Sequence, residues 1–236
     1  MSPFTIDNKV GEVVTVFPKA SDIFKSNRID FCCGGNLTIK EAAAKQMISA
    51  EQLITQLNML YRQSNPNKDY INWKEKSFSH IVHYIEETHH QYLKEELPQL
   101  TPYITKVYKV HGNKHHQLEK VKTLFQQLKT ELLEHLMLEE NTQFPLIEEY
   151  DRHPTHETLE RAVSQLDRLE KDHQNVGNIL KELRKVTNNY HLPEGACRTF
   201  QLVYKRLEHL EEDTLSHIHI ENNILFKRLF NLCLKM

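Results

Sequence analysis

Two stretches of this chain carry the same pair of side chains at the same spacing. His135 and Glu139 bracket His135-Leu136-Met137-Leu138-Glu139, and His217 and Glu221 bracket His217-Ile218-His219-Ile220-Glu221. Four residues on a helix turn through about 400°, so both members of a pair leave one face about 6 Å apart along the axis. An imidazole nitrogen and a carboxylate at that separation make a ready pair of ligands to one metal cluster. One pair is weak evidence. Two pairs on different helices are much stronger, because bundle cores build metal sites from His and carboxylate side chains projected inward from facing helices.

Four helices are needed to present such ligands, and the sequence supplies them. Apolar positions Phe78, Ile81, Ile85 and Leu93 fall on a helical period. The expected helices run from about Trp73 to His111, Lys114 to Tyr150, Thr155 to Asn189 and Ala196 to Leu232, joined by short turns. Pro98 and Pro102 predict a kink in the first, and Pro145 lies near the end of the second. Long helices with short loops predict an up-down-up-down bundle. Equal distances from a hairpin turn mean equal heights. Counting 22 residues back from Gly112 reaches His90, and 22 forward from Asn113 reaches His135. From Pro193, 20 residues back reaches His173 and 24 forward reaches His217, a mismatch of one helical turn. His90, His135, His173 and His217 therefore belong in one layer, with Glu139 and Glu221 a turn away.

The donor set selects the metal. Structural zinc takes four ligands, often thiolates, and calcium and magnesium take oxygen. Two irons fit four imidazoles and two bridging carboxylates. With a bridging oxo or hydroxo group, six-coordination leaves one position open at each iron. Open positions imply exchange with NO, O2 or peroxide, or release of iron itself. The chain has 15 histidines, and most of the others read as ordinary. His219 lies about 200° from His217 and faces away from the cluster. His89 lies about 100° from His90 and competes with it for that ligand position. His83 is read as outside the cluster or at the surface. His111 is about 31 Å from His90 along a straight helix. His115, His116, His153, His156 and His191 fall at helix ends.

The polar stretch Arg62–Asp69, with Pro66, divides the chain. The expected organisation is a small helical domain over 1–62, a linker over 63–73 and the bundle over 74–236. In the small domain, Thr38 and Glu41 form a capping-box pattern, and Ser49-Ala50-Glu51-Gln52 repeats it. Upstream lies Asp30-Phe31-Cys32-Cys33-Gly34-Gly35, where the glycines predict a turn that permits positive φ. Adjacent cysteines beside glycines predict an exposed, reactive site. Its roles stay open between a redox partner for the irons, a thiolate dock for iron and capture of a nitrosyl group. Cys197 and Cys233 read as plain apolar residues.

Composition removes several alternatives. The 236 residues carry 30 basic and 32 acidic side chains, a net charge of -2, which argues against a nucleic-acid groove or a polybasic membrane surface. With Gly 6 and Pro 8, turn-rich β folds and glycine-rich phosphate loops are disfavoured. There is no CxxC pair, so a zinc ribbon or thioredoxin-type site is excluded. No apolar run approaches the length of a membrane span, and Met1–Asp7 shows no leader pattern. The expected compartment is a reducing cytoplasm.

The pattern His…His-x-x-x-Glu…His…His-x-x-x-Glu resembles hemerythrin-like di-iron bundles, at His90, His135, Glu139, His173, His217 and Glu221. Asp30–Gly35 is similar to the small domain that precedes such a bundle in the repair-of-iron-centres family. The segments after the ligand glutamates, Glu139–Pro145 and Glu221–Phe226, are similar to that family's as well. The resemblance covers nearly the whole chain. It implies an all-α fold with a hemerythrin-like bundle behind a small helical domain, two irons and a homodimer. It also implies repair of iron–sulfur clusters damaged by nitric oxide or peroxide, with damaged iron–sulfur proteins as partners. A second reading, an O2- or NO-binding sensor or carrier, uses the same irons. No acid, base or nucleophile motif marks a turnover enzyme. Iron donation would be stoichiometric and NO reduction catalytic, and the sequence does not choose between them.

Overall fold

The computed structural model describes residues 3–64 and 71–235. Among them the secondary structure is helical, with one isolated bridge between Lys9 and Thr38. Residues 65–70 of the expected linker lie outside the described residues. The chain forms two compact units. One comprises Met1–Ser77 with Ile218–Met236, and the other is Phe78–His217.

In the first unit, α1 (Val10–Val16), α2 (Ala20–Ser26), α3 (Ile39–Lys45) and α4 (Ala50–Gln63) surround the rings of Phe4, Phe17 and Tyr61. Buried Asn58 accepts from Phe4 N and donates to Phe4 O, each at 3.1 Å, so the entering strand of chain is tied to α4. The Thr38–Glu41 capping box forms at the start of α3. At α4 half of it forms: Ser49 Oγ accepts from Gln52 N. The chain turns at Gly34 and Gly35 as expected, and neither uses the positive φ that a glycine permits. They are required for space. A Cβ on Gly34 would come 2.7 Å from Asp30 O, and one on Gly35 would overlap the Asn223 side chain. The end of the chain, including α12 (Lys227–Cys233), belongs to this unit, where Lys227 pairs with Glu12 and Arg228 donates to Trp73 O and Lys76 O.

In the second unit, α5 (Phe78–Ile85), a π turn (Glu86–His90) and α6 (Gln91–His111) form one rod. It starts at Phe78, later than expected, because the Asp151 carboxylate accepts from Phe78 N and Ser79 N and caps that end. The helix continues through Pro98 and Pro102, and a π turn lies upstream of both. The second rod is α7 (Gln117–Leu138), a π turn (Glu139–Gln143) and α8 (Phe144–Arg152), with Pro145 in the first turn of α8. The third rod is broken, where one helix was expected: α9 (His156–Val163) ends and α10 (Leu166–Val186) begins after Ser164-Gln165. Gln143 Nε2 donates to Ala162 O at 2.6 Å, satisfying a carbonyl that the interruption leaves over. The fourth rod begins with α11 (Arg198–Ile220). Helix α7 packs against α6 and α10. A two-pronged Arg184–Glu211 pair ties α10 to α11, and Arg206–Glu96 ties α11 to α6. These contacts close the four rods into a helical bundle.

Candidate metal centre

The bundle brings the level histidines together. His90, His135, His173 and His217 are buried, each in a different rod. They meet as two ring pairs, with His90 and His217 Nε2 atoms 3.1 Å apart and His135 and His173 Nε2 atoms 2.9 Å apart. Glu139, fully buried, spans the pairs: its Oε2 lies 3.4 Å from His90 Nε2 and its Oε1 3.2 Å from His135 Nε2. Glu221 follows His217 by four residues along the same rod and is also fully buried. The ligand atoms of His90, Glu139, His217 and Glu221 fall within 4.8 Å of one another, and those of His135, Glu139, His173 and Glu221 form a second such group. The two carboxylates are common to both groups.

This donor set fits two cations. Two carboxylates with no exposure are costly unless a cation compensates them. Four imidazole nitrogens converge on the same region, and 2.9–3.1 Å is the separation of two nitrogens that each bind one ion at about 2.1 Å and about a right angle.

The far side of the rings is organised as well. His90 Nδ1 lies 2.8 Å from Glu140 Oε1, and Lys94 Nζ donates to Glu140 Oε2 at 2.6 Å. Burial alone would raise the Glu140 carboxyl, but Lys94 and His90 outweigh it and hold the group below its ordinary value. Asp172 Oδ2 stands 3.9 Å from His135 Nδ1. Carboxylates placed behind ligand imidazoles fix ring orientation and leave Nε2 for the metal. Neither Glu140 nor Asp172 was picked out from the sequence. The available signal was adjacency, since each directly neighbours a ligand in the chain.

Three of the six candidate ligands coincide with helix irregularities. His90 ends the first π turn, Glu139 starts the second and Glu221 starts a third, Glu221–Phe226. The amides of Gln91 and Phe144 reach back to the carbonyls of Glu86 and Glu139, five residues earlier. Pro145 has no N–H to give to Asn141, so an ordinary turn there would already lack a bond.

The remaining histidines sort by geometry. His89 Nδ1 lies 2.8 Å from Asp213 Oδ1, and its ring stacks on that of His217 without joining either ligand group. His83 is largely exposed, beside Glu148. His219 points away from the cluster, within 3.4 Å of Phe31 O and 3.3 Å of Thr15 Oγ1, and burial pushes it down to about 4. His111 lies instead against Cys197 Sγ, at 3.1 Å. Cys197 and Cys233, read from the sequence as plain apolar residues, are exposed.

The Cys32–Cys33 loop also departs from expectation. Cys32 is buried and Cys33 half-buried. A hydrogen bond to Cys33, burial and the charge of Asp30 hold the Cys32 thiol well above its ordinary value. The loop is not an exposed thiolate. Asn223 Nδ2, from the third π turn, donates to Cys32 O at 2.8 Å and to Phe31 O at 3.3 Å. Asn222, next to Glu221 in the chain, approaches Cys33 Sγ at 4.0 Å.

Two family matches cover this layout. The hemerythrin HHE cation-binding domain matches residues 81–229, and the ScdA_N domain, described as a domain of unknown function, matches residues 6–61. The iron-sulfur cluster repair protein ScdA of Staphylococcus haemolyticus is 38% identical over 226 residues, covering 95% of this chain and 98% of the relative. The iron-sulfur cluster repair proteins YtfE of Pectobacterium atrosepticum and of Escherichia coli O8 are each 31% identical over 222 residues, covering 94% of this chain and 96% of the relative.

Proposed function

The chain belongs to the iron-sulfur cluster repair family that carries a hemerythrin HHE cation-binding domain, and on that premise we propose that it restores damaged iron–sulfur clusters through a di-iron centre. His90 and His217 would hold one iron and His135 and His173 the other, with Glu139 and Glu221 available to both. The observation that carries this reading is the placement of Glu139, whose two oxygens face different ring pairs. A carboxylate so placed serves two metals. Two irons would supply redox change and coordination positions open to small ligands such as NO, O2 or peroxide.

The chain's own residues do the rest. Glu140, braced by Lys94, holds the His90 ring and its Nδ1 proton. Leu93, Leu132, Leu136, Phe144 and Val176, all buried, exclude bulk water from the layer. Repair then has two routes, iron delivered as cargo to a damaged client protein, or nitric oxide drawn away from it.

The test is iron content and lability on the purified protein, before and after NO exposure, with an inactivated apo iron–sulfur enzyme as acceptor. The expected result is two irons per chain and reactivation of the acceptor. Glu139→Leu and Glu221→Leu should each lower the iron bound and the reactivation together. Tightly held irons that bind NO reversibly without reactivating the acceptor would move the assignment to a sensor or carrier. Unchanged iron in both glutamate variants would remove the di-iron centre as drawn.

A further inference from the structure

A second group of metal-binding side chains stands in the loop before α3. The ligand atoms of Asp30, Cys32 and Cys33 lie within 4.8 Å of one another. Both cysteines are free thiols. Their sulfurs are 3.7 Å apart, and Cys32 Sγ is 3.3 Å from Asp30 Oδ1. A tetrahedral ion with metal–sulfur bonds of about 2.3 Å places two sulfurs about 3.8 Å apart, and places a carboxylate oxygen about 3.5 Å from either. Two of the three edges of one tetrahedral face are therefore close to these lengths, and the third, from Cys33 Sγ to the Asp30 carboxylate, is within 4.8 Å.

The backbone keeps those edges. Asp30 Oδ1 accepts from Cys33 N at 2.9 Å and from Gly34 N at 3.0 Å, which fixes the carboxylate against the thiols. Gly34 admits the turn because a Cβ would press on Asp30 O. Asn223 holds the carbonyls of Phe31 and Cys32 from the other side. Such preorganisation lowers the ordering cost of binding. Two sulfurs and one carboxylate oxygen favour a borderline divalent ion over magnesium or calcium. Cys33 is half-buried, and three protein donors leave a fourth position for an exchangeable ligand. Closed four-ligand sites store a structural metal, and sites with an open position allow exchange.

We propose that Asp30, Cys32 and Cys33 form a mononuclear site for one borderline divalent cation, separate from the histidine–glutamate centre and built for exchange. Its cargo is ferrous iron, an assignment that rests on the repair reading; the existence of the site does not. Binding is not a redox step. The cation stays divalent, and the two thiols release two protons to solvent as the metal–sulfur bonds form.

The experiment is anaerobic titration of the full-length, iron-loaded protein with Co2+, read by absorption and proton release. The expected result is one added cobalt per chain, with sulfur-to-cobalt charge-transfer bands, strong tetrahedral ligand-field bands and two protons released. Cys32→Ser and Cys33→Ser should each weaken the charge-transfer bands and lower affinity at least tenfold. Asp30→Asn should lower affinity while leaving those bands in place. Circular dichroism and bundle iron content check that each variant is folded. X-ray absorption of Cd2+ on the unmodified protein needs no variant and should report two sulfur neighbours. Cobalt bound without charge-transfer bands, equally in the serine variants, or cadmium without sulfur neighbours would overturn the site. Cobalt at the thiols without acceptor reactivation would leave the site standing and remove the repair reading. Reactivation without thiolate-bound metal would do the reverse.

Discussion

His89 and His90 are adjacent, both buried, and only one of them joins a ligand group. The difference is made behind the ring. His90 has Glu140 at its Nδ1 and turns Nε2 to the cluster, while the Nδ1 of His89 is taken by Asp213 and its Nε2 has no hydrogen-bond partner among the described residues. His90→Ala should therefore lower iron content to at most half, and His89→Ala should leave the stoichiometry intact. Metal analysis of the two purified variants decides it. Glu140→Gln keeps the shape and removes the charge that supports His90. By analogy with other supporting carboxylates it should weaken metal binding by about 10–100-fold, measured by competition with a chelator.

At the scale of elements, the rods are ordinary helices except at three π turns and at the break in the third rod. The three π turns coincide with His90, Glu139 and Glu221. A π turn adds a residue to one turn and shifts the faces beyond it, so ligands and core side chains on either side can both face inward. The same irregularity places Gln143 where it reaches Ala162 O, across the break in the third rod. Gln143→Ala would leave that buried carbonyl without its bond, and a loss of about 2 kcal/mol in denaturant unfolding is expected. Thr155 caps α9 through Thr158 N. Thr155→Ala should cost about 1 kcal/mol by the same measurement, with iron content unchanged. The break itself was not legible. Leu159, Ala162, Leu166 and Leu169 keep a helical spacing straight through Ser164-Gln165, because the residues on both sides face the same core.

At the scale of the molecule, metal and fold are linked. Two fully buried carboxylates and four converging imidazoles form one layer of the protein's interior. Removing the cations leaves that charge uncompensated, and any ligand that binds only the folded state stabilises it, by about 4 kcal/mol at a thousandfold excess over Kd. Chelation should lower the melting temperature, and restoring ferrous iron should return it. In the unit formed by Met1–Ser77 and Ile218–Met236, the tip of Asn223 fits a notch that exists because Gly11 and Gly35 lack a Cβ. Gly35→Ala should displace the Asn223 side chain and free the Cys32–Cys33 loop. Faster labelling of Cys32 by a thiol reagent would register this, and an unchanged rate would show that the notch does not restrain the loop. No helix among the described residues is long and apolar enough to cross a membrane.

The amino-acid sequence by itself determined the helical class, the four-rod order and the layer in which His90, His135, His173 and His217 meet. Those follow from local rules: helical period, short turns and equal counting from a hairpin turn. Tertiary structure decided how the four rings pair, that Glu139 faces both pairs, and that Glu140 and Asp172 stand behind the rings. It also decided that His89 turns to Asp213, and that Gly34 and Gly35 are needed for close approach and not for positive φ. Each of those depends on side chains from segments far apart in the chain, or on where a π turn shifts a helix face, and no local pattern encodes either.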